Sequence, residues 1–282
     1  MVSTQKWRVE TARSALFVPG DRPDRFDKAA ASGADLVVID LEDAVAPEHK
    51  ETARAEAAGW ISGGGRAAVR INGTGTDQYA TDVAALVEAP GLLAVIVPMA
   101  EDPHRLARVA QDVGAGVPLV ALIETARGLA QAHRIAEVAA VARLGVGHLD
   151  LASDLRSSTG RDAMLVPRST VVVASRAAGL PGPFEGVTTV LDDPSVCADD
   201  SAYAKDLGFA GKFAIHPRQV SVINTAFSPT RAEIDTARRV LAAAGGGGVA
   251  RVDGQMVDGP VVARAQRVLE LATGDAPEPG DA

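Results

Sequence analysis

Eight short runs of apolar and β-branched residues recur along the chain, and this repetition constrains the fold more than any other feature of the sequence. Most of the runs are continuously apolar rather than alternating, as strands that are covered on both faces are. They predict the strands of a parallel sheet. The runs are Ser14–Pro19, Asp35–Leu41, Ala67–Ile71, Leu92–Pro98, Pro118–Ile123, Leu144–Val146, Gly186–Thr189 and Gly211–Ile215.

The segments between these runs are rich in alanine and have the apolar spacing of helices that pack on one face. Eight strand–helix units predict an α/β fold of the TIM-barrel, or (β/α)8, type. A doubly wound open sheet is the alternative, but no G-x-G-x-x-G follows the first strand, which favours the barrel. The predicted helices are Asp21–Ala31, Glu48–Ala58, Asp77–Val87, Pro103–Val113, Arg127–Val141, Pro167–Ala178 and Asp199–Leu207.

A barrel over residues 1–228 leaves a C-terminal segment, residues 229–282, that the barrel does not need. This segment contains a predicted helix over Thr230–Ala244, the glycine run Gly245–Gly248, the polar stretch Arg251–Asp258 and a final predicted helix. A glycine linker followed by an ordered-looking turn is typical of either a disordered tail or a helical arm. An arm would pack on another surface, such as a neighbouring subunit.

Composition narrows the class of protein. The chain has 282 residues, 47% of them hydrophobic and 23% charged, which is enough for a complete buried core. Cys197 is the single cysteine, and no 18-residue apolar run is present, so we expect neither secretion nor a membrane span and predict a cytoplasmic enzyme. The formal charge of −8 argues against a nucleic-acid partner and favours a small-molecule one.

Polar residues follow several predicted strands, at the face where TIM-barrel enzymes carry their active sites. Clustered carboxylates repel one another unless a cation or a proton shares the site. Oxygen ligands without paired His or Cys favour Mg²⁺ or Mn²⁺ over Zn²⁺, and Arg70 has the planar donor fork that suits a substrate carboxylate. The alternative for any single acid is a helix cap or a structural ion pair. The five acids are Asp40, Glu42, Asp43, Glu124 and Asp150.

From Ser14 to about Pro260 the chain resembles the HpcH/HpaI aldolase and citrate lyase β-subunit (CitE-like) family. The order of the motifs indicates the CoA-ester lyase branch, which includes malyl-CoA and citramalyl-CoA lyases. The motifs are S-x-L-x-V-P-G-D-R-P from Ser14, D-L-E-D-A-V from Asp40, R-I-N from Arg70, L-I-E-T from Leu122, G-F-x-G-K-x-A-I-H-P-x-Q from Gly208 and G-Q-M-V-D-x-P from Gly254.

The resemblance implies a Mg²⁺-dependent carbon–carbon lyase that cleaves or forms a 3-hydroxyacyl-CoA thioester, with coenzyme A as part of the substrate. It implies that Glu124 and Asp150 bind the metal, and that Arg70 binds the carboxylate of a 2-oxo acid. One alternative is the β subunit of a citrate-lyase-type complex that acts on an acyl-carrier-protein thioester. Another is a non-catalytic protein that binds a 2-oxo acid on the same barrel.

Further residues receive roles from the same resemblance. Phe17, Arg22 and Lys28 would hold the nucleotide part of the thioester, although Arg22 and Lys28 also fit a solvated helix face. Asp258 would transfer a proton in the active site of a neighbouring protomer, which implies a homo-oligomer, a trimer or a hexamer. The alternative for Asp258 is a structural role as a turn residue before Pro260. His216 either contacts the substrate or forms a structural corner.

Three positions depart from the family pattern. A lysine usually follows Pro98, an acid usually precedes the metal-binding aspartate after the sixth strand, and a glycine usually completes the Asp-Leu-Gly that follows. This chain has Met99, Leu149 and Arg156 there. None of the three is a proposed ligand, but all change the surroundings of the site, so we expect an unusual substrate.

Overall fold

Eight parallel strands close into a barrel in the order in which they occur along the chain. The computed structural model describes residues 9–87, 89–244, 250–252 and 255–274. The closed ring of eight parallel strands confirms the predicted TIM barrel. The strands are β1 (Ser14–Pro19), β2 (Leu36–Asp40), β3 (Ala67–Arg70), β4 (Leu92–Val97), β5 (Leu119–Ile123), β6 (Val141–Val146), β7 (Phe184–Glu185) and β8 (Gly211–Ala214).

Helices follow each strand of the barrel. Asp102, Thr125 and Asp193 each accept a hydrogen bond from a backbone N–H in the first turn of the helix they precede, and so define where α4, α5 and α8 begin. The helices are α1 (Phe26–Ala30), α2 (Lys50–Ser62), α3 (Tyr79–Leu86), α4 (Pro103–Val113), α5 (Ala126–Ala136), α6 (His148–Asp154), α7 (Arg161–Ala177), α8 (Pro194–Leu207), α9 (Pro217–Phe227), α10 (Arg231–Ala244) and α11 (Gly259–Gly274).

Alternate residues of the strands fill the barrel interior, since successive side chains of a strand point to opposite faces. Leu36 and Val38 of β2 and Val120 and Leu122 of β5 contribute in this way. Two aromatic rings, Phe184 and Phe213, lie beside them with their centroids 5.1 Å apart. The remaining members of this core are Val9, Ala12, Ala15, Ala68, Ala94 and Ile96.

A buried arginine lies at the opposite end of the barrel from the strand carboxyl ends. The guanidinium of Arg143, which is 0% exposed, donates to the carbonyls of Gly182 (2.8 Å), Val9 (2.9 Å) and Ala12 (2.6 Å). Its Cζ lies 3.6 Å from the ring centroid of Phe184. The Arg143 side chain therefore ties the N-terminal segment to the barrel.

The strand predictions need two corrections. The seventh strand is Phe184–Glu185 and not Gly186–Thr189, because Phe184 fills the barrel core and Glu185 pairs in register with Lys212 of β8. The sixth strand begins at Val141, before the predicted Leu144, because Arg143 is buried inside it despite its charge. In both places a charged residue within a buried strand hid the strand from the apolar pattern.

The helix predictions also need correction. The fifth helix ends at Ala136 and not at Val141, which opens β6. The helix predicted from Pro167 begins at Arg161, so that the proline, which usually marks a first turn, lies in the interior of α7. The helices α6 and α9 were not predicted. Helix α6 matters most, because it begins at the end of β6 and carries Asp150.

The residues from Thr225 onward form a second compact unit. Its helices α10 and α11 pack around Ala237, Val240 and Ala265. The strands β9 (Ala250–Val252) and β10 (Gln255–Val257) pair antiparallel within the unit. The glycine run 245–248, Gly254 of the last motif and residues 275–282 lie outside the described residues. Contact of this arm with a neighbouring protomer stays a prediction.

Within the described ranges, the structure contains no helix that is long and apolar enough to span a membrane.

Candidate active site

A cavity of about 400 Å³ is lined by residues at or just after the carboxyl ends of the barrel strands. One part of its wall is charged and the rest is apolar. The charged lining residues are Asp40, Asp43, Arg70, Glu124 and Asp150. The apolar side chains are those of Phe17, Ala44, Leu122, Val146, Leu149, Val187, Phe213 and Ile215.

Arg70 at the end of β3 is held by Asp40 at the end of β2. The two residues are register partners in the parallel ladder, so their side chains meet at the same height of the barrel. Nε of Arg70 donates to Oδ1 of Asp40 at 2.7 Å, and Nη2 donates to Oδ2 at 2.5 Å. Asp40 is 1% exposed, and its two oxygens also accept the backbone N–H groups of Glu42 (2.9 Å) and Ala44 (3.2 Å), so it is fixed in place and positions the guanidinium.

Two further acids lie beside Arg70. Oε2 of Glu42 is 2.9 Å from Nη1 of Arg70, whereas Oδ2 of Asp43 is 3.8 Å away and its side chain is 71% exposed. Burial raises the pKa of Glu42 to about 8, and although Arg70 opposes this change, Asp43 adds to it. Among the described residues that line the cavity, Arg70 thus is the one Lys or Arg side chain, and it lies beside several acids.

A buried network supports the loop that carries Glu42. Nζ of Lys50 in α2 donates to the backbone carbonyls of Leu41 and Glu42, both at 2.7 Å, and to Oδ1 of Asn72 at 2.8 Å. The Asn72 amide in turn donates to the carbonyl of Leu41 at 2.9 Å and to Asp82 at 2.7 Å. Lys50 and Asn72 therefore fix the shape of the β2 loop from behind.

Glu124, directly after β5, is almost completely buried at 3% exposure. Its Oε1 accepts a hydrogen bond from the backbone N–H of Met99 at 2.6 Å. Burial raises its pKa to about 7, the Met99 N–H and Arg70 oppose the increase, and Asp150 and Asp43 add to it. A carboxylate held this way in a cavity is poised to accept a cation.

Asp150 lies in the first turn of α6, directly after β6. Burial raises the pKa of Asp150, the charge of Asp43 adds to this, and Arg70 opposes it. At the other end of α6, Oδ2 of Asp154 accepts a hydrogen bond from the N–H of Ala126 at 2.7 Å. Because Ala126 opens α5 just after Glu124, this bond links the segments that carry Glu124 and Asp150.

The residues fit a magnesium ion. Of the five strand-end acids, Asp40 and Glu42 are paired with Arg70, which leaves Glu124, Asp150 and the exposed Asp43 facing the cavity. The described residues contain no cluster of three His, Cys, Asp or Glu side chains that could hold a metal by themselves. Magnesium commonly takes one or two protein carboxylates and completes its shell with water and substrate.

His148 is a neutral neighbour of this site. It opens α6, is 9% exposed, and burial lowers its pKa to about 4. A Cβ at position 186 would overlap its Nδ1, so Gly186 is required there for space. His148 therefore contributes no positive charge at neutral pH.

The other predicted site residues are distributed unevenly. Phe17 lines the cavity, and its ring centroid lies 4.9 Å from Cζ of Arg70. Arg22 and Lys28 lie outside the lining; Arg22 is paired with Asp24 through two 2.9 Å hydrogen bonds, and Lys28 is exposed on α1. His216 also lies outside the lining, and its Nδ1 accepts the N–H of Arg218 at 3.1 Å, as in a structural corner.

Asp258 lies in the C-terminal unit, immediately before α11. Its Oδ1 accepts the N–H of Val261 at 3.2 Å, so the side chain caps this helix. The side chain is exposed, which leaves its second oxygen open to other partners. Its role in proton transfer stays a prediction.

Comparison with known proteins agrees with this geometry. The HpcH/HpaI aldolase/citrate lyase family matches residues 13–217, and the family described as C-C_Bond_Lyase of the TIM-Barrel fold matches residues 189–274. Citrate lyase subunit beta of Leuconostoc mesenteroides subsp. cremoris is 36% identical over 92% of this chain and 93% of its own length.

Two other relatives are a thioesterase and a protein crystallised with its ligands. A (3S)-malyl-CoA thioesterase of Cereibacter sphaeroides is 35% identical over 92% of this chain and 94% of its own. The crystal structure of CitE from Mycobacterium tuberculosis in complex with magnesium, acetoacetate and coenzyme A superposes with a TM-score of 0.81 at 33% identity, covering 94% of this chain and all of that one. The chain belongs to the HpcH/HpaI aldolase/citrate lyase family.

Proposed function

We propose that this protein is a Mg²⁺-dependent carbon–carbon lyase that cleaves a 3-hydroxyacyl-CoA thioester into a 2-oxo acid and an acyl-CoA, or runs the reverse addition. The observation that carries the proposal is the arrangement of Glu124, Asp150 and Arg70 around one cavity. The relative crystallised with magnesium, acetoacetate and coenzyme A supports the same class of ligands.

Arg70 would bind the carboxylate of the 2-oxo acid half. A guanidinium has five N–H donors, and Asp40 accepts two of them while Glu42 lies against Nη1. The remaining donors can meet a substrate carboxylate, and the Asp40 pair holds the plane of the guanidinium fixed. Phe17 packs against that guanidinium and restricts it further.

Glu124 and Asp150 would hold the magnesium ion. When bound, Mg²⁺ acts as a Lewis acid that stabilises negative charge on the carbinol or keto oxygen of the substrate. Burial of Glu124 and its hydrogen bond from the Met99 N–H keep the carboxylate in one orientation.

Cleavage breaks the bond between the carbinol carbon and the α-carbon of the thioester. The carbinol O–H proton passes to solvent water, the carbinol becomes the ketone of the 2-oxo acid, and the electron pair of the broken bond passes to the thioester as its enolate. Protonation of that enolate at the α-carbon gives the acyl-CoA. We propose Asp258 of a neighbouring protomer as the group that handles the α-carbon proton, which requires a homo-oligomer.

Two alternative activities can be distinguished from the proposed lyase by the products that each would form. A thioesterase would release free coenzyme A and leave the 3-hydroxy acid intact, as the name of the Cereibacter relative describes. A citrate-lyase-type β subunit would act on an acyl-carrier-protein thioester and leave the CoA ester uncleaved. The lyase alone forms a 2-oxo acid and an acyl-CoA from the CoA ester.

The test is to incubate the protein with malyl-CoA and citramalyl-CoA and Mg²⁺, and to measure 2-oxo acid and free thiol separately. We expect 2-oxo acid release that EDTA abolishes and that Glu124→Gln and Asp150→Asn reduce at least 100-fold. Glu56→Gln, on the exposed face of α2, is the matched control and should retain activity. Unchanged activity in both site variants would refute the proposed metal ligands.

A further inference from the structure

The cavity offers one positive charge. Among its described lining residues, Arg70 is the single permanently charged cation, and it is already shared by Asp40 and Glu42. His148, the other lining residue with a basic side chain, is only 9% exposed and is packed against Gly186. A ligand carboxylate that binds Arg70 therefore leaves no second Lys or Arg side chain among the described lining residues for another carboxylate.

The acids at the same wall would oppose a second carboxylate. Asp43, Glu124 and Asp150 all line the cavity, and a divalent ion offsets two of their charges. A second anionic group on the ligand would meet the remaining negative charge without compensation. Like charges in a partly buried site disfavour each other strongly.

The rest of the wall is apolar and accessible. Leu149 lies between His148 and Asp150 in the first turn of α6, and 40% of its surface is exposed although it lines the cavity. Ile215, after β8, is 41% exposed and lines the same cavity. Val187 and Phe213 continue this wall. Such a surface binds alkyl groups with a gain of about fourfold in affinity for each buried methylene.

We propose that the 2-oxo acid half of the substrate is a monocarboxylic acid with an alkyl chain longer than that of pyruvate, and that Leu149 contacts this chain. The inference rests on the proposed function, because it assigns the substrate class of the same site. Dicarboxylic 2-oxo acids such as oxaloacetate are disfavoured, because their second carboxylate meets an apolar or acidic wall.

The test is calorimetric binding of 2-oxo acids to the full-length protein in the presence of Mg²⁺. Two pairs of ligands differ only by a methyl group against a carboxylate: 2-oxobutanoate against oxaloacetate, and 2-oxopentanoate against 2-oxoglutarate. We expect each monocarboxylic acid to bind at least tenfold more tightly than its partner. We also expect 2-oxobutanoate to bind about fourfold more tightly than pyruvate.

Variants at Leu149 examine the contact itself. Leu149→Ala should remove the gain in affinity from pyruvate to 2-oxobutanoate. Leu149→Arg adds a cation and should raise oxaloacetate affinity at least tenfold. The matched controls are Leu155→Ala and Leu155→Arg, because Leu155 ends the same helix with 38% exposure but lies outside the cavity lining.

Three results would count against the inference. Dicarboxylic acids that bind as tightly as their monocarboxylic partners would overturn it. So would Leu149 variants that change the affinity for acetyl-CoA and for no 2-oxo acid, since the apolar wall would then hold the thioester half. Absence of Mg²⁺-dependent binding for every acid, pyruvate included, would instead refute the proposed function on which the inference rests.

Discussion

Gly147 lies directly against the side chain of Glu124. A Cβ at position 147 would overlap Oε2 of Glu124 and would come within 2.7 Å of its Cβ. The backbone of Gly147 has φ −93°, which most residues adopt, so the glycine is required for space and not for conformation. Gly147, directly after β6, thus contacts the carboxylate of Glu124, which directly follows β5. Asp150 lies three residues after Gly147.

Replacing Gly147 tests this contact. Gly147→Ala should displace the Glu124 carboxylate and weaken Mg²⁺-dependent pyruvate binding about tenfold or more, because a small misplacement of a ligand is costly. Calorimetry of Mg²⁺ and pyruvate binding measures the effect. Gly59→Ala is the matched control, since Gly59 lies in α2 with open space around it, and should leave binding unchanged. Equal affinities in both variants would mean that Glu124 does not depend on this glycine.

The stability of the metal-free protein should fall as the pH rises from 6.5 to 8. Burial raises the pKa of Glu124 to about 7 and that of Glu42 to about 8, so the folded state retains protons that the unfolded chain has already released. Each group contributes a slope of at most about 1.4 kcal/mol per pH unit. Below pH 6.5, His148 opposes the trend, because its lowered pKa makes the folded state bind fewer protons there.

Urea unfolding in EDTA between pH 6.5 and 8 measures this dependence. Glu124→Gln should flatten the curve up to about pH 7, and saturating Mg²⁺ should stabilise the wild-type protein most at the highest pH, where Glu124 is ionised. A free energy of unfolding that is constant or rises over this interval would contradict the raised pKa values.

Arg156 has a left-handed backbone with φ 54°. This conformation costs about 1–2 kcal/mol for a residue that has a Cβ, whereas glycine adopts it without this cost. The Arg156 side chain is exposed, and among the described residues it forms no hydrogen bond or ion pair that would offset the cost. Arg156→Gly should therefore raise the free energy of unfolding by about 1 kcal/mol. Arg156→Ala keeps the strain and should leave stability within about 0.5 kcal/mol of wild type. Denaturant titration that shows the same value for both variants would exclude strain at this position.

Asp258 allows capping and proton transfer to be separated. Asp258→Asn retains an oxygen that can accept the Val261 N–H, so helix α11 and thermal stability should be preserved. Loss of the ionisable carboxylate should nevertheless lower kcat at least 100-fold with little change in KM. Light scattering of the wild-type protein should show an oligomer. A monomer that is fully active would exclude transfer of a proton by a neighbouring protomer.

Arg143 should be the most costly single truncation among the charged residues discussed. Arg143→Met leaves the carbonyls of Gly182, Val9 and Ala12 without their donor inside the protein, and we expect a loss of about 3 kcal/mol or more. Thermal and urea unfolding measure it. Arg66→Met, an exposed position just before β3, is the control and should be nearly neutral. A neutral result at position 143 would show that water replaces the guanidinium.

Much of the barrel could be predicted from the sequence, because most strands of a parallel sheet are apolar on both faces and form continuous runs. The acids after those runs also located the site face. The pattern failed where a charge is buried: Arg143 lies inside β6, and Glu185, in β7, forms a buried ion pair with Arg168 at 2.9 Å. Partners that satisfy such charges come from distant segments, which periodicity cannot reveal.

The sequence by itself determined that the chain folds into strand–helix units and carries five acids and an arginine at the strand ends. The tertiary structure decided which acids face the cavity. Asp40 and Arg70 are register partners in neighbouring strands, so the guanidinium pairs with Asp40. Glu124 and Asp150 remain in the cavity wall, and neither forms an ion pair with a cation in the part of the chain that the structure describes. The physical reason is register: the ladder between β2 and β3 sets which opposite charges meet, and the charges it leaves unpaired define the site.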